Sequence, residues 1–328
     1  MAGAQQEPRL AQVNHSEISL RAFAKINLNL RVLGKRPDDY HEVWTVLQTV
    51  SLHDGLTFSR RSDDQVRLTC NDPEIPVDDS NLIVKAAQVL RKQAAVSFGA
   101  DIHLLKRIPT QGGLGGASAN AAVALLGLSQ LWQLEVDISE LCQLGKGLGA
   151  DVAFFFHGGT AIAEGIGTDI STLPDLPAKS LIIVTPTTGV STAAAYQALK
   201  APSLTSQGSV SILASSFAEP SLGDCAQWPL HNDFEAVIFE IKPEIGRAKR
   251  ALIKAGARGA LMTGSGSSVF GIFDSEAARD RALSAVDPEA GWRIFPCQSL
   301  ARDEYLKALG SSTYPLLRSF NMRSDTGA

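Results

Sequence analysis

No stretch of this chain approaches the ~18 consecutive apolar residues a membrane-spanning helix needs. The first residues carry no basic segment followed by an apolar run, so no secretory leader is expected. Positive charge is not in excess: Lys+Arg number 30 against Asp+Glu 34, for a net charge of -4 and a pI near 5.9. Nucleic acids and anionic membranes are bound through a basic surplus, so neither is expected as the main partner, although a local basic pocket is still open. Cysteine is scarce and scattered. Cys70, Cys142, Cys225 and Cys297 form no CxxC pair and no Cys/His cluster. That spacing excludes a zinc finger and argues against a disulfide framework, so reduced thiols in a cytoplasmic chain are the expectation.

What is present fits a soluble globular protein. Hydrophobic residues make up 45% and charged residues 20% of 328 residues, too apolar for disorder. At roughly 150 residues per domain the length suggests about two domains or one large one. Residues 1–18 and 311–328 read as polar tails. From Ser19 a strand emerges, with Ile26, Leu28, Leu30 and Val32 alternating with Lys25, Asn27, Asn29 and Arg31. The polar set either is a solvated face or lines a site, since Asn and Lys are poor strand formers.

Gly34 to Asp39 is turn chemistry, and Asp54-Gly55 predicts a hairpin into Leu56-Thr57-Phe58. Helical spacing runs from Asn81 to Gln93, with Asp78 to Ser80 able to cap it. Ile102 to Ile108 reads as a strand, and Ala121 to Leu131 and Ile138 to Leu148 as helices. Ala153 to Phe156, Thr160 to Glu164 and Leu181 to Val184 look like buried strands, and residues 201–222 like a long loop or weak helix. Asn232 to Phe239 and Glu244 to Ala255 read as helices, then Val269 to Phe273 as a strand. Strands and helices mix without regular alternation, which indicates an α+β fold.

Chemistry concentrates in Gly112, Gly113, Gly115 and Gly116, four glycines within five residues between a strand and an Ala-rich helix. Glycine permits positive φ and close ligand approach, and the helix start offers free N–H groups and a positive dipole end. Together these make a phosphate site, to which Ser118 and Asn120 would add donors. A purely structural glycine turn is the alternative. No Lys-Ser/Thr follows the last glycine, so the loop is not a Walker A, and Ser118 breaks G-x-G-x-x-G.

The segment Pro109-Thr110-Gln111-Gly112-Gly113-Leu114-Gly115-Gly116-Ala117-Ser118-Ala119 resembles the ATP loop of the galactokinase–homoserine kinase–mevalonate kinase–phosphomevalonate kinase superfamily. Ala24-Lys25-Ile26-Asn27-Leu28 and Thr263-Gly264-Ser265-Gly266-Ser267-Ser268 are similar to its other motifs, in the same order. With Asp39-Tyr40-His41 and Leu148-Gly149-Ala150-Asp151-Val152, the likeness is to the branch whose acceptor is a cytidine-diphosphate-linked methylerythritol of non-mevalonate isoprenoid synthesis. It covers about residues 20–300.

The resemblance implies a two-lobed small-molecule kinase fold. Its N-terminal lobe, at 19–178, would carry the ATP loop and the catalytic residues. Its C-terminal α/β-sandwich lobe would span 179–310. ATP would be bound by Pro109 to Ala119, and Mg²⁺ is implied by ATP use, with no metal ligands assigned in this sequence. Lys25 and Asp151 would be the catalytic pair: Asp151 takes the proton of the attacking hydroxyl, and Lys25 orients it and neutralises charge on the transferring group. Asn27 would share their face. Tyr40 and His41 would bind the cytosine, by stacking and by reading the base edge. Thr192 and Tyr196, four apart on one helix face, would close over the substrate. The molecule would act as a monomer or homodimer. Homoserine- or mevalonate-type kinases and a silent nucleotide-binding relative are the alternatives. Gln111 and Ala119 depart from the family pattern, in which a glycine and often a second serine stand.

Overall fold

The computed structural model describes residues 17–200, 230–310, 313 and 317–321. The described chain opens with strands β1 (Glu17–Lys35), β2 (His41–Arg60) and β3 (Val66–Cys70), then helix α1 (Leu82–Ala94) and strand β4 (Ala100–Leu105). Helices α2 (Gly116–Leu131) and α3 (Ile138–Leu148), a 3-10 turn at Ala150–Val152 and the short helix α4 (Phe154–His157) lead to β5 (Thr160–Glu164) and β6 (Asp169–Thr172). Next come β7 (Ser180–Thr185), α5 (Thr192–Leu199), β8 (His231–Asn232), α6 (Phe234–Ile241) and α7 (Pro243–Lys254). Strands β9 (Gly259–Met262) and β10 (Val269–Phe273), helix α8 (Glu276–Ala285), strand β11 (Arg293–Gln298) and helix α9 (Arg302–Leu309) complete it.

Two sheets result, and the α+β, two-lobed expectation holds. The first runs β3-β4-β2-β1-β8, with β5 on β2 and β6 on β5. The second is an antiparallel β11-β7-β10-β9. α1, α2 and α3 cover one side of the first sheet through Phe58, Ile102, Leu125 and Leu128. A second core fills the seam between the sheets, where Ile26 and Leu28 of β1 meet Leu181, Ile183 and Phe270. α5 to α8 cover the far side of the second sheet.

The polar alternation of β1 is therefore not a solvated face: Lys25, Asn27 and Asn29 are all at most 3% exposed. Polar side chains on a strand with both faces buried require partners, and theirs form the site described below.

Several sequence expectations are overturned. Asp54-Gly55 is no hairpin. β2 runs straight through it, Asp54 pairing with Ala22 and Gly55 with both Arg21 and Leu105. Donors from residues 106–108 and Asn120 satisfy the Asp54 carboxylate in place of a local turn. Ala153 to Phe156 is helical, not a strand. A short apolar run has no period to separate the two, and Phe154, Phe155 and Phe156 are buried on all sides. Asn232 lies in β8, beside Leu30 of β1, so its helix starts two residues later than read. α1 is capped by the Asn81 side chain, accepting from the Ile83 N–H at 2.9 Å. The loop read at 201–222 lies outside the described residues. Within the stretch read as a closing polar tail, Thr313, Leu317 and Asn321 are buried. Leu317 joins the first core with Tyr305, Leu306 and Leu309, so the chain returns to the first lobe at its end.

Candidate active site

β1 brings Lys25 and Asn27 to one place, and the bulge between Asn27 and Asn29 adjusts the register there. The Lys25 ammonium donates to Asn27 Oδ1 at 2.8 Å and lies 3.2 Å from Asp151 Oδ2. Asn27 Nδ2 donates to Thr45 Oγ1 at 2.8 Å, and Thr45 Oγ1 donates to the Asn29 carbonyl at 2.6 Å. Thr263 Oγ1 accepts the Asn27 N–H at 3.0 Å and lies 3.2 Å from Asn27 Oδ1 and 3.1 Å from the Gly113 carbonyl. Asp151 stands on the 3-10 turn that follows Gly149, its side chain one-third exposed (33%) while Lys25 is sealed.

The glycine loop lies against this wall. The Lys25 N–H donates to the Leu114 carbonyl at 3.0 Å. Gly113 and Gly115 have φ of 71° and 69°. A Cβ on Gly113 would sit 2.1 Å from the Thr263 carbonyl oxygen, and one on Gly115 would sit 3.0 Å from both Lys25 Cγ and Phe155 Cζ. Glycine is required there by conformation and by space. The second loop backs the first, with Ser267 and Ser268 N–H groups donating to the Gln111 and Gly112 carbonyls at 3.3 and 3.2 Å.

α2 begins at Gly115 with no side-chain cap, whereas α1, α5 and α8 are capped by Asn81, Ser191 and Ser275. The first N–H groups of α2 thus have no side-chain acceptor and can meet an anion.

Along the loop, Thr110, Gln111 and Ala117 are exposed and Ser118 is half-buried toward Gly149, while Pro109, Leu114 and Ala119 are buried. Gln111, where the family carries glycine, adopts the left-handed φ of 52°, and its Oε1 leans over Gly189. Asn120 does not face the loop. It is buried, and its Nδ2 donates to Asp54 Oδ2 at 3.1 Å. Its expected role as a phosphate donor is corrected accordingly.

A cleft of about 920 Å³ opens beside Asp151, lined by Lys35, Tyr40, His41, Gly149, Thr192 and Tyr196 among others. The His41 and Tyr196 rings stack at 4.4 Å and 22°, and Phe234 meets the Tyr196 ring edge-on. Tyr40 is 61% exposed at the rim. Burial, and then the Asp151 charge, push the Tyr196 phenol up to about 12, so Tyr196 feels the field of that carboxylate. Burial and the Lys35 charge lower the His41 imidazole below its ordinary 6.5, so it is neutral near pH 7. Thr192 Oγ1 lies 3.2 Å from Ser265 Oγ, which ties α5 to the second glycine loop.

Of the residues singled out in the sequence, Lys25, Asn27 and Asp151 share polar contacts beside the glycine loop, and Tyr40, His41, Thr192 and Tyr196 line the cleft that Gly149 and Ala150 border. Sequence reasoning left the second glycine loop undecided and missed Thr45, whose role shows only in three dimensions.

The family model "GHMP kinases N terminal domain" matches residues 81–159, and "GHMP kinases C terminal" matches residues 213–291. The chain is 38% identical over 283 residues to 4-diphosphocytidyl-2-C-methyl-D-erythritol kinase of Acetivibrio thermocellus, covering 86% of this chain and 99% of that one. It is 42% identical over 268 residues to the same-named enzyme of Protochlamydia amoebophila, covering 80% and 87%. A crystal structure of 4-(cytidine 5'-diphospho)-2C-methyl-D-erythritol kinase superposes with a TM-score of 0.70 at 33% identity, covering 86% of this chain and 99% of that one. The chain belongs to the GHMP kinase family and is a kinase. Within that family it stands among the 4-diphosphocytidyl-2-C-methyl-D-erythritol kinases. A homoserine kinase of Cytophaga hutchinsonii, at 20% identity and a TM-score of 0.67, shares the fold.

Among the described residues no group of three or more His, Cys, Asp or Glu converges to hold a metal. The magnesium that accompanies ATP would be held chiefly by the phosphates themselves. Among the described residues no helix is long and apolar enough to cross a membrane.

Proposed function

We propose that the enzyme transfers the γ-phosphoryl group of ATP to the 2-hydroxyl of 4-diphosphocytidyl-2-C-methyl-D-erythritol, giving its 2-phosphate and ADP. The observation that carries this reading is the Lys25–Asp151 pair at 3.2 Å, set between the uncapped start of α2 and the cleft with the stacked His41 and Tyr196. The loop from Pro109 to Ala119 holds the triphosphate on backbone N–H groups and the helix start.

The acceptor hydroxyl attacks the γ-phosphorus. A new P–O bond forms as the bond to the β-phosphate oxygen breaks, and ADP carries away that electron pair. The hydroxyl proton passes to Asp151, whose side chain is one-third exposed. Lys25, pinned by Asn27, fixes the orientation of Asp151 and neutralises charge on the transferring oxygens. His41, neutral at pH 7, can donate from one ring nitrogen and accept at the other, which suits a cytosine edge. Tyr40 at the rim and Tyr196 inside supply ring faces for the base, and Thr192 closes the far side. The enzyme is placed in the cytoplasm, as a monomer or homodimer.

An ADP-release assay with the cytidine-linked substrate, homoserine and mevalonate tests the assignment. Turnover of the cytidine-linked acceptor alone is expected. Turnover of homoserine or mevalonate alone would overturn it.

A further inference from the structure

Beneath the ATP loop lies a second buried Lys–Asp pair that the chemistry above does not use. Asp54, on β2, is fully buried, and its two oxygens receive four donors. Oδ1 accepts the backbone N–H of Arg107 at 2.6 Å and of Ile108 at 2.8 Å. Oδ2 accepts Lys106 Nζ at 2.9 Å and Asn120 Nδ2 at 3.1 Å. The Lys106 ammonium also donates to the Ile108 carbonyl. A Cβ on Gly116 would lie 3.4 Å from that ammonium, so the pair sits directly under the first turn of α2.

Residues 106–108 deliver the chain into the loop, and Asn120 follows directly on its last residue. A single carboxylate therefore holds both ends of the segment 109–119. Asn120 Oδ1 has no hydrogen-bond partner among the described residues, so Asp54 alone dictates how that amide is turned. The glycines between the two tethers have little intrinsic preference for one backbone path. Their path has to be imposed from outside, by the second glycine loop on one side and by Asp54 on the other.

We infer that Asp54 is the positioning residue of the ATP loop, setting the distance between the start of α2 and Lys25. The inference rests on the loop's being the ATP site. Asp54→Asn keeps the shape and one acceptor oxygen, but turns an NH₂ toward two donors, the Lys106 ammonium and the Asn120 amide.

ATP and acceptor affinities are measured separately by calorimetry on folded protein, together with steady-state kinetics. Asp54→Asn is expected to weaken ATP on the order of tenfold, while acceptor affinity changes less than about twofold. Asn120→Asp alone sets a second carboxylate beside Asp54 and weakens ATP as well. The double variant Asp54→Asn/Asn120→Asp restores a carboxylate–amide pair in reversed order and recovers most of the loss. Asn120→Ala, which cuts only the far tether, is expected to weaken ATP a few-fold and covers the case in which Asp54→Asn does not fold.

ATP affinity unchanged in folded Asp54→Asn or in Asn120→Ala, or no recovery in the double variant, would overturn the role of Asp54. Wild-type protein that binds the acceptor but no ATP would overturn the loop reading itself, a different failure from equal ATP binding in wild type and variants.

Discussion

Two lysine–aspartate pairs lie on either side of the glycine loop at 109–119, and they differ in one respect. Lys25 and Lys106 are both sealed from water, at 4% and 6% side-chain exposure, but Asp151 is 33% exposed and Asp54 is not exposed at all. An ionised carboxylate has about four acceptor positions. Asp54 fills them with four protein donors. Asp151 keeps one-third of its side chain open. The same two residue types thus make a saturated, sealed pair in one place and, on the proposed mechanism, a proton acceptor where one partner is left partly open. The sealed pair also displays a conflict of forces: burial lowers the Lys106 ammonium more than the Asp54 charge raises it.

The contrast can be broken at several points. Asp151→Asn should lower kcat between a hundredfold and ten-thousandfold, with ATP affinity and melting temperature nearly unchanged. Near-wild-type turnover would remove Asp151 from the reaction. Asp54→Ala leaves Lys106 buried without its counter-charge and should cost about 3–5 kcal/mol in denaturant unfolding. A loss below about 1 kcal/mol would make the two pairs equivalent.

On the open side, Tyr40→Ala should raise KM for the cytidine-linked acceptor roughly tenfold, as expected for losing one base stack, and leave KM for ATP in place. Equal changes in both would contradict a stacking role.

Protonation gives a smaller effect with a definite sign. His41 titrates below 6.5 because burial and Lys35 disfavour its charge. KM for the acceptor should therefore be flat through neutral pH and rise only as pH falls below that value. His41→Gln should abolish the rise, and a rise already complete at pH 7 would contradict a neutral imidazole.

The smallest effect concerns Gln111, held at positive φ where L-residues are disfavoured. Gln111→Gly should change stability by about 0.5–1 kcal/mol in the stabilising direction, readable as a raised melting temperature. A fall would show that its contact over Gly189 outweighs the backbone strain.

The glycine loop was legible because Gly113 and Gly115 adopt positive φ in places too tight for a side chain, and the Lys25–Asn27 spacing because a strand repeats every two residues. That these polar groups point inward was not legible, since alternation marks two faces without saying which is wet. Asp54-Gly55 misled for a physical reason. It has the chemistry of a two-residue turn, but donors more than fifty residues away outcompete the local preference. The three phenylalanines of α4 misled because an element buried on every side has no amphipathic signature. Asn120 lay at the right distance along the chain for a phosphate and on the wrong side of the helix.

Tyr305 carries a consequence for the way the enzyme is made. It is wholly buried, its hydroxyl donates to the Phe155 carbonyl at 2.6 Å, and its ring occupies the space a side chain at Gly158 would need. Phe155 in turn packs where a side chain on Gly115 would reach, next to Lys25. The backing of a motif near residue 25 is thus supplied by residues beyond 300. During synthesis the N-terminal lobe can collapse early, but its glycine loop lacks this support until the helix that carries Tyr305 leaves the ribosome. A nascent chain stalled before Tyr305 should hold its glycine loop loosely and bind nucleotide poorly.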